Sequence, residues 1–127
     1  MFGRMFGKGG KPDVIRELQV LKSEIARLPQ KYPMGGFTFG AGASKAKEQI
    51  PTICAVIDDA VNAFEKGLDV HNRPITKSQI ADGLKRLVAA TRRPAFIGLV
   101  STALSPTGVR ELGQYMNNLE RIANKIR

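Results

Sequence analysis

A chain of 127 residues, 43% hydrophobic and 24% charged, has the composition of one globular domain, which excludes two independent cores and wholesale disorder. Its 20 Lys and Arg against 11 Asp and Glu give a net charge of +9, and so much positive charge implies anionic company: nucleic acid, an acidic membrane face or an acidic protein. One cysteine and one histidine exclude an internal disulfide and leave too few soft ligands for a zinc site.

The chain opens MFGRMFGKGGK, in which MFG followed by a cation is written twice. Gly3, Arg4, Gly7 and Lys8 interrupt any apolar secretory-signal region, and no apolar run reaches the roughly 18 residues that span a bilayer. The expectation is a protein of the cytoplasm or of a virion or other assembly. Residues 1–12 read as a flexible basic-aromatic arm, with Met1, Phe2, Arg4, Met5, Phe6 and Lys8 as partner-binding candidates. Burying the four apolar side chains yields about 6–12 kcal/mol, whereas ordering eight backbone units costs about 8–16 kcal/mol. One arm therefore binds with a balance near zero, and many copies acting together bind well.

From Asp13 to Leu28, Val14, Ile15, Leu18, Leu21, Ile25 and Leu28 recur at helical spacing and share one stripe. Pro12 and Asp13 favour the start of this helix (13–29), and Pro29 is expected to stop it. Residues 30–44, QKYPMGGFTFGAGAS, read as a Gly-rich tether. Phe37 and Phe39 point the same way if this segment is extended, which makes them candidate loop contacts or a stacking platform for bases. GAGASK within and after it lacks the spacing of a phosphate-binding loop.

The remaining chain, 45–127, reads as the helical core. A second helix is expected from Pro51 to Lys66, with room for a preceding turn from Ser44. Its apolar face runs through Ile50, Ile53, Cys54, Ile57, Ala60, Val61 and Phe64, and Gly67 supplies the stop. Asp58, Asp59 and Glu65 on the polar side form a candidate acidic contact face. Asp58 and Asp59 diverge by about 100°, so they do not share a proton. Cys54 lies on the apolar stripe without an activating histidine and reads as a small core residue.

Thr76 and Gln79 form a capping box for the third helix, with Ile75 and Ile80 as its hydrophobic staple. Ile80, Leu84, Leu87, Val88 and Thr91 form its core stripe, and Gly83 interrupts it at a cost of about 1 kcal/mol relative to alanine. Residues 67–93 carry +4. Lys85 with Arg92, and Arg86 with Arg93, are spaced as two rows, a candidate face for anions or nucleic acid. Residues 95–104, AFIGLVSTAL, are apolar all round and predict a centrally buried helix. The last helix starts at Ser105-Pro106 and carries the stripe Val109, Leu112, Tyr115, Met116, Leu119, Ile122, Ala123 and Ile126.

The predicted fold class is all-α, a small bundle of four to five helices in one domain. No catalytic, cofactor-binding or metal-binding set emerges, and no small-molecule substrate is implied. The functional expectation is a non-enzymatic structural protein within a larger assembly, such as a virion or a secretion-type machine. Its expected partners are other proteins and copies of itself. The alternatives are nucleic-acid binding through the third helix and attachment to an anionic membrane surface through the arm.

Overall fold

The computed structural model describes residues 11–32 and 41–126. The arm candidates Met1, Phe2, Arg4, Met5, Phe6 and Lys8, and the loop candidates Phe37 and Phe39, lie outside the described residues. Five helices occupy the described chain: α1 (Lys11–Lys31), α2 (Ala41–Lys66), α3 (Lys77–Thr91), α4 (Pro94–Val100) and α5 (Pro106–Ile126). The fold is a small all-α bundle. No helix of the described residues is long and apolar enough to cross a membrane.

The four long helices form a ring in which α1 packs on α2, α2 on α3, α3 on α5, and α5 back on α1. Neighbours run antiparallel. Pro12 and Ile15 at the start of α1 meet Glu65 at the end of α2, while Ala60 and Ala63 late in α2 meet Ile80 and Leu84 early in α3. Lys125 near the end of α5 pairs with Glu17 early in α1. Each helix turns its apolar stripe inward, so Leu18, Ile25, Ile57, Leu84, Val88, Met116 and Leu119 are almost wholly removed from water. The spacing of three and four that identifies these helices in the sequence is the same spacing that builds the shared core.

α1 is part of this core. Val14, Leu18, Leu21, Ile25 and Leu28 are all buried against α2 and α5. Pro29 does not stop the helix, contrary to expectation. It removes only its own N–H from the ladder, and the turn closes through Tyr32 N donating to the carbonyl of Leu28 at 2.8 Å. Tyr32 is then fastened to α5. Its hydroxyl donates to Glu111 Oε2 at 2.9 Å, and its carbonyl accepts from Ser105 N at 3.0 Å.

α2 also begins earlier than the sequence indicates, at Ala41, with Pro51 inside it. Helix therefore takes residues 30, 31 and 41–44 of the stretch expected as a tether. The stop at Gly67 is as expected, with φ at +71°, a backbone angle that glycine adopts without strain. The box at the start of α3 is complete: Gln79 N donates to Thr76 Oγ1 at 3.1 Å, and Thr76 N donates to Gln79 Oε1 at 2.9 Å.

The apolar stretch after α3 is not a central helix. Only Pro94–Val100 is helical; Pro94, Ala95, Ile97 and Gly98 are exposed, and Val100 alone is buried within the helix. Pro94 starts a new helix after an extended Arg93, and the chain leaves it at Ser101. Seven residues make about two turns, too few to thread a core that four longer helices already fill. The following Ala103 and Leu104 are buried instead.

Candidate functional site

The turn from α2 to α3 is an ordered loop built around one carboxylate. Asp69 Oδ1 accepts from His71 N at 2.8 Å and from Arg73 N at 3.0 Å. Main-chain bonds from Asp69 N to the Arg73 carbonyl and from Ile75 N to the Gly67 carbonyl close the loop, and Leu68 bridges Pro74. The backbone N–H of Arg73, and then that of His71, hold the Asp69 carboxyl below its ordinary value of 3.8. A depressed carboxylate stabilises its loop fully above that ordinary value and loses the effect as pH falls through the folded value. The Asp69 carboxyl resonance should therefore titrate with a midpoint below 3.8, with the His71 and Arg73 amide shifts following it. A midpoint at or above 3.8 contradicts this loop.

The loop presents Val70, which is 67% exposed, at the edge of a groove between α2 and α3. Val56, Ala60, Ala63, Ile75, Ile80 and Leu84 give the groove an aliphatic wall, and Asp59, Asp69 and Gln79 supply its polar atoms. Gly83 completes the lining. A Cβ built on Gly83 meets nothing within 4 Å, so no contact inside the chain requires glycine there. At 190 Å³ the groove is smaller than the about 300–1,000 Å³ of metabolite pockets. It has the size of one or two apolar anchors of a protein partner.

A second groove, between α3, α4 and α5, has the opposite charge. It is lined by Arg92, Arg110, Met116, Asn117 and the 41% exposed Ile97, together with Gly113, another helical glycine whose added Cβ meets nothing within 4 Å.

The three acidic candidates do not make one face. Asp59 is exposed on the α3 side of α2, where it lines the first groove. Asp58 turns to α1 and accepts from Lys22 Nζ at 2.7 Å, a bond that raises the Lys22 amine above its usual value. Glu65 lies on that same flank, in the cleft with Pro12 and Arg16. Asp58 stays half-exposed while it is paired across to α1.

The basic candidates also separate. Lys85 and Arg86 stand on α3, half-buried and exposed respectively. Arg92 is the C-cap of α3 and bonds Asn117 at 2.7 Å and Glu120 at 3.1 Å across on α5. Arg93 has left the helix, with ψ at 141°. The seven-residue stacking of Arg86 with Arg93 does not survive that change of backbone.

Cys54 is half-buried, its Sγ lies 3.7 Å from the Lys22 carbonyl, and burial pushes the thiol above its usual value, which keeps it protonated. Among the described residues no His, Cys, Asp and Glu side chains gather in a set that would hold a metal ion. Of the residues that line the first groove, the sequence singles out Asp59 as a candidate contact, and Ile75, Gln79 and Ile80 only as the start of α3. It misses the roles of Val70 and Asp69, which carry no periodic signal. No family model, curated protein or solved structure matches this chain.

Proposed function

We propose that the chain is a non-enzymatic structural protein, a small helical component of a larger assembly that works through protein–protein contacts. The observation that carries this reading is Gly83 on the first groove. Glycine there costs α3 about 1 kcal/mol relative to alanine, packing within the chain does not use it, and it keeps an apolar recess open. A recess of that kind fits an anchor side chain from another protein. The opposite signs of the two grooves, carboxylates at one and guanidinium groups at the other, add a reason for contacts between different surfaces of successive copies.

The test uses Gly83→Leu, which fills the groove and improves the helix at the same time. Light scattering of the full chain should show association that Gly83→Leu weakens by about tenfold or more, the range of an interface anchor. The unfolding temperature of the variant should not fall. Association unaffected by Gly83→Leu overturns the role of the groove. A chain that stays single but shifts DNA or RNA at about 50 mM salt, where phosphate contacts are strong, replaces this reading with nucleic-acid binding. Charge reversal at Lys85, Arg86, Arg92 and Arg93 would then abolish the shift.

A further inference from the structure

We infer that the groove between α2 and α3 receives the N-terminal segment MFGRMFGKGG, residues 1–10, of a neighbouring copy, so that the chains join head to tail. The inference rests on the assembly reading above and names the partner of its groove.

Chemical complementarity is the first support. The segment carries Met1, Phe2, Met5 and Phe6 as apolar anchors, with Arg4 and Lys8 between and beside them and no acid. The groove offers an aliphatic wall with the exposed Asp59 carboxylate on it, while Asp69 is already paired with Arg73 Nε at 3.4 Å, so anchors meet the wall and a cation meets Asp59. The second groove contains Arg92 and Arg110 and would repel the same segment. Of the two grooves, only the first matches the segment in both polarity and charge.

The groove is also prepared for a partner. Val70 stands 67% exposed on a loop that the Asp69 carboxylate and two main-chain bonds already hold in shape. A partner segment that docks there does not have to order the receiving surface, which removes one of the usual costs of association.

Reach separates a neighbour's segment from the chain's own. Residues 1–10 run into α1, whose first residues lie beside Glu65 on the flank of α2 away from α3. Packed helix axes are about 8–10 Å apart, so the groove lies about one and a half spacings from α1, and the path must pass around α2. Four residues lie between Phe6 and Lys11, and the five steps from one to the other span about 17 Å at full extension. The chain's own Phe6 would need nearly all of that extension to pass around α2. A segment from a second copy has no such tether and brings both rings to the groove.

Because the segment and the groove are different surfaces, the contact is heterologous and propagates into a ring or a filament. Complementation between two full-length variants tests this. The arm variant carries Phe2→Ser and Phe6→Ser. The groove variant carries Asp59→Lys and Val70→Asp, both at exposed positions. Far-UV circular dichroism should show unchanged helicity in each. Each alone should self-associate about tenfold or more weakly than the native chain, the loss expected for interface anchors. Mixed, they should form a 1:1 heterodimer that grows no further, since only one productive arm and one productive groove remain. If both variants associate like the native chain, the inference falls while the assembly reading stands. If each is weakened but the mixture stays apart, the groove takes another occupant and the inference is equally overturned. A native chain that is single at every concentration sinks the assembly reading itself.

Discussion

Leu18→Ala is expected to lower the unfolding free energy by about 2–5 kcal/mol, a large part of the about 5–15 kcal/mol that a domain of this size has in total. Leu18 is wholly buried, and it stands on α1 where that helix meets both α2 and α5. Removing its branched end deletes contacts on two sides, and ring neighbours fixed by their own stripes cannot collapse into the space. The effect discriminates between two arrangements of the chain. A first helix hanging on a tether would lose little from the truncation, whereas a helix that forms one wall of the core loses the full amount. Urea unfolding followed by circular dichroism measures it. A loss below about 1 kcal/mol, the scale of an exposed site, would contradict the integrated first helix.

Gly108→Ala is expected to cost about 1–3 kcal/mol, the usual penalty of overpacking. Gly108 is buried in the first turn of α5, three residues after Ser105, whose hydroxyl accepts from Gly108 N at 3.3 Å. A Cβ at this position would stand 2.7 Å from Tyr32 Cβ and 3.3 Å from Leu104 Cβ. Tyr32 cannot swing aside, because the atom in the way is its Cβ and because its hydroxyl and carbonyl are both bonded to the start of α5. The backbone of one helix end must move, and the bonds from Tyr32 to Glu111 and Ser105 are strained with it. Gly113→Ala in the same helix is the control. A Cβ there meets nothing within 4 Å, so alanine should be neutral or stabilising by its helix propensity alone. Equal melting temperatures for Gly108→Ala and Gly113→Ala would contradict the close approach of Tyr32.

The helices were legible because burial enforces a period. Leu18, Leu21, Ile25 and Leu28 repeat every three or four residues, and Leu112, Met116, Leu119, Ile122 and Ile126 do the same at the other end of the chain. Local chemistry made Thr76, Gln79 and Gly67 equally readable, since caps and stops depend on a few adjacent residues. What escaped was set by distant partners. Pro29 stays in its helix, in a last turn closed by Tyr32, which docks on residues more than seventy positions away. Asp58, still half-exposed, is paired because Lys22 comes to it from another helix. The helix after Pro94 stays at the edge, with only Val100, Ala103 and Leu104 of the apolar run buried, because four long helices already fill the centre, a fact of volume that no window of sequence contains. The candidate groove follows the same division. Asp59, Ile75, Gln79 and Ile80 could be named from their own segments, but the recess exists only where α2, α3 and the Asp69 loop meet.

Sedimentation velocity of the full chain over about a hundredfold range of concentration, at low and high salt, tests the assembly reading most directly. That reading predicts a sedimentation coefficient that rises with concentration at low salt, with weaker association at high salt, since the arm's cations and the groove's carboxylates are screened over about 10 Å at 0.1 M and far less at 1 M. A single boundary at the coefficient of one chain, unchanged by concentration or salt, would contradict it.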